Sequence, residues 1–212
     1  MKMSKFNEIG RSMVEMLGVL AIIGVLSVGA IAGYSKAMMK YKLNKHAEQL
    51  NTILNATYRY KAIFGTSNVL PQTIVPYLIK LKEIPEDMIK SGEENFVYDI
   101  FGSKMAINTN SCPNGSNCTG MLVTFQPPLN NFDVCLNIFN TAKAFHEQLW
   151  YFGAYRYIGD PKPEYDASFY GDKYCSNKKC IRDITMDDIY DKCQFIAQQD
   201  KSHFNIQFNH QF

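Results

Sequence analysis

Hydrophobic positions run unbroken near the start of the chain and become periodic only afterwards. From Met16 to Ser35 there is no charged residue, a stretch about as long as a helix needs to cross a bilayer. Beyond it, Leu43, Ala47, Leu50, Leu54, Tyr58 and Ala62 recur every three or four residues. Lys42, Lys45, Gln49, Asn55 and Arg59 fall mostly between them, as on an amphipathic helix. No proline interrupts the text before Phe64-Gly65, so one helix is expected from Ser12 to Ala62, roughly 75 Å long at about 1.5 Å per residue. Its first half is free for lipid or other subunits, and its second half has a face to pack on a head.

The pattern then shortens. Pro71, Pro76 and Pro85 divide the chain, leaving room for helical turns at Gln72 to Leu81 and Glu86 to Lys90 before the break at Ser91-Gly92. Phe96 to Phe101 and Lys104 to Asn108 flank Gly102-Ser103 as a hairpin, and Met121 to Phe125 reads as a third strand ended by Pro127-Pro128. Asn131 to Gln148 returns to helical spacing, with Val134, Ile138, Ala142, Phe145 and Leu149 on one side. Trp150, Tyr151, Phe152, Tyr155 and Tyr157 crowd together; such a cluster can be a sugar-binding platform, but a strand entering the core is the stronger reading. Thr185 can cap a short helix through Asp187, Asp188 and Ile189 to Cys193, and His203 to Phe208 alternates like a final strand.

Composition narrows the classes. The chain has 212 residues and a formal net charge of +2, so nothing overall points to nucleic acid or an anionic surface. Six cysteines, at 112, 118, 135, 175, 180 and 193, all follow the apolar run, and an even set on one side of a membrane segment suggests export to an oxidising compartment. Lysines do not orient the segment, because Lys2, Lys5 and Arg11 precede it while Lys36, Lys40, Lys42 and Lys45 follow. The cysteines therefore place the N-terminus in the cytoplasm. They admit many pairings, which spacing can only rank: Cys112 with Cys118 around Pro113-Asn114-Gly115, Cys175 with Cys180 around a four-residue turn, and Cys135 left to Cys193. Zinc is a poor alternative, since neither short spacing is C-x-x-C and no histidine is adjacent.

Enzymatic chemistry has no visible constellation. His46, His146, His203 and His210 are scattered, and there is no H-E-x-x-H, G-x-S-x-G or phosphate-cradling glycine loop. Asp187, Asp188 and Asp191 lack EF-hand spacing and read as a solvated helix start. Lys178-Lys179 is a basic loop tip, too short to argue for DNA. No cofactor is expected.

One feature remains. Glu15 lies immediately before the uncharged run, and a lone carboxylate entering hydrocarbon costs several kcal/mol unless it has a partner or a purpose. Gly10-Arg11-Ser12-Met13-Val14-Glu15, with Lys2 and Lys5 ahead and the apolar run behind, resembles the class III signal of type IV prepilins and pseudopilins. Arg11 stands where that family usually has Phe or Met, and Ala32 where many pilins have a kinking proline, which leaves Gly24, Gly29 and Gly33 as the weak points of the helix.

The resemblance implies cleavage between Gly10 and Arg11 by a membrane-embedded prepilin peptidase and N-methylation of Arg11. It implies that Glu15 docks one subunit on the next by pairing with a terminal amine. It also implies an α+β fold: a leader at 1–10, a helix at 11–62 with its membrane and assembly segment at 13–35, and a periplasmic head at 63–212 with an antiparallel sheet and a disulfide-stapled C-terminal region like that of type IVb pilins. Expected partners are further copies of the chain, the peptidase, an inner-membrane assembly platform and the membrane itself. The competing expectation is an exported or anchored envelope enzyme or binding protein. There Lys2 and Lys5 begin an ordinary signal sequence, Leu17 to Leu26 is its apolar core, and Ala30-Ile31-Ala32 its cleavage site.

Overall fold

The computed structural model describes residues 13–64, 72–111, 117–127, 131–156, 164–197 and 202–209. Good helix formers without proline carry α1 from Met13 to Phe64 in one run. Contacts divide the chain into two units, Met1–Tyr41 and Lys42–Phe212. The first contributes the apolar part of α1 and the second the rest of the helix together with the head.

In the second unit six antiparallel strands form one sheet in the order β1-β2-β3-β6-β4-β5. They are β1 (Val97–Tyr98), β2 (Lys104–Ser111), β3 (Asn117–Gln126), β4 (Tyr151–Arg156), β5 (Glu164–Tyr170) and β6 (Ser202–Asn209). Alternation puts Ile107, Val123, Ile206, Phe152 and Phe169 in one row across five strands, since each is directly paired with the next. That row is the floor of the core. Leu50, Ile53 and Leu54 of α1 and Ile138 and Phe139 of α3 (Phe132–Ala144) are buried with it in one cluster. Phe139 meets Phe152, Phe169 and Phe204 edge-on, with ring centres 4.9, 6.4 and 6.0 Å away.

The fold is therefore α+β, a long N-terminal helix on an antiparallel sheet. α4 (Met186–Ala197) joins α3 through the Cys135–Cys193 disulfide, and Cys175–Cys180 closes the loop after β5. That loop can tuck against the end of α3 because residue 171 is glycine, where a Cβ would collide with the Leu149 carbonyl oxygen. The third expected pair falls outside the described residues at Cys112.

Local chemistry explains the element ends. The Asn131 side chain accepts from the Val134 N–H at the start of α3. At α4, Thr185 Oγ1 accepts from the Asp188 N–H, while the Asp188 carboxylate accepts from both the Thr185 N–H and its hydroxyl, closing a reciprocal capping arrangement. Thr185 caps as expected, and the helix continues past Cys193 to Ala197.

Several expectations shift. α3 stops at Ala144 and not at Gln148, because Phe145 closes the last turn by donating to the carbonyls of Thr141 and Ala142. The expected long hairpin reduces to a two-residue β1, since the Asp99 carboxylate draws the following Phe101 and Ser103 N–H groups into a turn. The turns after α1 are α2 (Val75–Lys80), with a proline in its first turn, and a single 3-10 turn at Glu86–Met88. β5 is a strand that the sequence pattern does not predict. Of the aromatic cluster, Tyr151, Phe152 and Tyr155 are buried in β4 and Trp150 is half-buried, while Tyr157 lies outside the described residues.

The buried stripe of α1 is also rotated from its expected position. Leu50 and Leu54 are inside, but Ala62 is exposed and Leu43, Ala47 and Tyr58 only half-buried, whereas His46, Gln49, Thr57 and Lys61 are buried. Two of these polar groups find partners within α1 itself. Lys61 lies over the Tyr58 ring at 4.4 Å, and burial, then the charge of Lys173, push its amine below the ordinary lysine range. Thr57 donates to the Ile53 carbonyl.

Candidate functional site

The apolar end of α1 is the feature that most needs a functional account. Between Leu17 and Ile31 the large side chains stand 54 to 74% exposed, and none of the most hydropathic 18-residue window, mean hydropathy 2.4, is buried within the chain. By length and composition this is a helix able to cross a membrane. A bare apolar surface of this extent is out of place on a water-soluble monomer, so lipid or other protein must cover it. At the glycines Gly18, Gly24, Gly29 and Gly33 an added Cβ would meet nothing. The helix runs through all four.

Glu15 occupies the first turn of this helix and is exposed. Its charge there favours the helix dipole by roughly 0.3–1 kcal/mol. Inserting the apolar run into lipid gains roughly 0.3–0.6 kcal/mol for each Leu, Ile or Val. Together these residues offset the cost of a carboxylate, about 2.5–3.5 kcal/mol at the bilayer centre and less near the end of a helix. Membrane insertion is thus feasible with Glu15 charged, but a cation at the same depth would make it far cheaper. Gly10 and Arg11, the other residues of the motif, lie outside the described residues.

Where α1 meets the head, a buried polar cluster fixes the helix to the sheet. His46 Nε2 stands 3.1 Å from the Asp99 carboxylate, both side chains fully buried. Asn137 of α3 donates its amide to the Leu43 carbonyl and lies 3.2 Å from His46 Nδ1. Asn137 thus sits against Nδ1 of the imidazole while Nε2 faces Asp99. Gln49 accepts from the Ile100 N–H and donates to Asp87, which Lys45 also reaches at 3.6 Å. No substrate can approach a pair that is wholly enclosed. The cluster is an anchor, with α1, α3 and the β1–β2 turn each contributing.

Burial works to raise the Asp99 carboxyl, but the hydrogen bond and charge of His46, with the bonds from Ser103, outweigh it and hold the group below the ordinary carboxylate range. A depressed folded value means that this stabilisation is complete above the unfolded value of about 4 and is lost as pH falls through the folded one. Asp99→Asn is expected to cost about 1–3 kcal/mol at neutral pH and to flatten the decline of stability over the acid range below the unfolded value of about 4. Urea unfolding of the oxidised chain across that range measures both. An equally steep acid decline in the variant would contradict the assignment.

Other titratable groups tie loops together. His146 Nδ1 lies 2.9 Å from Asp172, which Arg182 also approaches at 3.4 Å, joining the end of α3 to the loop after β5. The Asp188 carboxylate is committed to Thr185, so the acidic start of α4 is a cap. Lys178 packs over the Tyr170 ring at 4.2 Å. Among the described residues no three His, Cys, Asp or Glu side chains gather as a metal site. No family model, curated protein or solved structure matches the chain.

Proposed function

We propose that this chain is a structural subunit of a type IV pilus or a related pseudopilus. On this reading prepilin peptidase removes the leader after Gly10, and the subunit waits in the inner membrane with its head in the periplasm. It then joins a helical polymer through the apolar end of α1. The observation that carries the reading is the combination on one helix of a carboxylate in the first turn and an uncovered apolar run directly after it, continuous with a disulfide-bonded α+β head. Glu15 is the docking element. In a helical bundle its charge is neutralised by the terminal amine of a neighbouring copy, which reaches the same depth when subunits are staggered by about one turn. The role is structural, without catalysis or a cofactor.

The mature N-terminus tests the proposal. Chain extracted from the envelope or sheared from the cell surface is expected to begin at Arg11, with or without a methyl group, and to retain Met16 to Ser35. A soluble product starting at Gly33 would favour the alternative, an exported envelope enzyme or binding protein carrying an ordinary signal sequence.

A further inference from the structure

The outer face of α4 presents two like charges to solvent. Asp187 and Asp191, four residues apart, are both exposed and make no ion pair among the described residues. Like charges at that spacing repel along a helix. Beside them Met186 is 58% exposed and Tyr190 49%, so the face is apolar as well as acidic.

On α1, just beyond the uncharged run, Lys36 and Lys40 repeat the spacing with the opposite sign. They too are exposed and without an ion-pair partner among the described residues, whereas Lys45 is engaged by Glu48 and Asp87. Met39 and Tyr41 beside them are 45% and 59% exposed. Four residues of helix rise about 6 Å, so the two pairs match in length. Each relieves the repulsion within the other.

We propose that the outer face of α4 docks, through Asp187 and Asp191, against Lys36 and Lys40 on the α1 of a second copy. This contact rests on the polymer reading above. It would fix which head lies beside which helix, a choice that the apolar run alone leaves open. Surface charge pairs are individually weak; here two adjacent pairs act with half-exposed Met and Tyr side chains, and the effect repeats at every subunit.

Charge reversal tests it in the full chain, expressed in membranes that assemble the wild-type polymer. Lys36→Glu/Lys40→Glu and Asp187→Lys/Asp191→Lys are each expected to reduce polymer at least tenfold, and the combined variant to recover to within about threefold of wild type. All four positions are exposed, and unfolding curves matching wild type verify the fold. Copies carrying Lys40→Cys mixed with copies carrying Asp191→Cys should form a disulfide-linked heterodimer. Normal assembly of either reversal, or no recovery on combining them, overturns the contact. If Lys36→Glu/Lys40→Glu instead loses binding to phosphatidylglycerol vesicles and is not rescued, the lysines serve lipid headgroups and the contact is again overturned. Failure of the polymer reading shows separately, as wild type without polymer and Glu15→Gln without effect, and it removes the contact too.

Discussion

Replacing Glu15 with Gln or Val is expected to leave membrane insertion and leader cleavage intact while reducing incorporation into fibres about a hundredfold or more. The magnitude follows from the charge. A carboxylate enclosed among apolar helices costs about 2.5–3.5 kcal/mol when uncompensated, and pairing with a neighbour's amine recovers a comparable amount only at the correct axial register. Removing the carboxylate leaves that amine unpaired instead. A loss near 3 kcal/mol per added subunit is about a hundredfold in the equilibrium for addition. If Glu15 served only its own helix dipole, the effect would be worth at most about 1 kcal/mol, or about fivefold. Quantitative immunoblots of sheared fibres against the membrane pool separate the two cases. Normal fibres in Glu15→Gln would remove the docking role.

Loss of the Cys135–Cys193 bond is expected to be the largest single blow to the stability of the head. The bond closes a separation of 58 residues and ties α4, which buries Ile189, Cys193 and Ile196, to α3. In the chain-entropy account a loop of this length contributes about 4 kcal/mol and the five-residue Cys175–Cys180 separation about 2. Typical domains hold only about 5–15 kcal/mol in total. Cys135→Ala/Cys193→Ala should therefore shift the urea midpoint roughly twice as far as Cys175→Ala/Cys180→Ala. The reverse order would contradict the assignment of Cys135–Cys193 as the main staple.

What sequence could show depended on whether the relevant partners are close along the chain. α1, α3 and α4 are legible because helix periodicity, the Thr185 cap and the absence of proline are local signals. The pairings Cys175–Cys180 and Cys135–Cys193 were ranked from spacing alone, and both are present. β6 was legible as a strand, but its place between β3 and β4 was not, because a central position depends on partners some 50 to 90 residues away. β5 follows Pro161 and Pro163, which obscured its alternation of Tyr165, Ala167 and Phe169.

The anchor under α1 escaped for the same reason. His46, Asp99 and Asn137 belong to three separate elements, and a histidine on an apolar helical face gives no hint of its carboxylate. The one available clue was His46 itself, four residues before Leu50 and so on the buried stripe. Its partners make the rotation of that stripe intelligible: the helix turns to bury His46 and Gln49 against donors and acceptors, and Ala62 is left outside.

The most direct test of the account is a zero-length cross-link across the proposed pair. Fibres assembled from a mixture of ordinary and nitrogen-15-labelled subunits, treated with carbodiimide, digested and analysed by mass spectrometry, should yield a peptide joining the Arg11 amine to the Glu15 carboxylate. That peptide should contain mixed light and heavy halves, which only two different copies can supply. Cross-links confined to single copies, or Glu15 joined only to other partners, would contradict the claim that each subunit's carboxylate is neutralised by its neighbour's terminus.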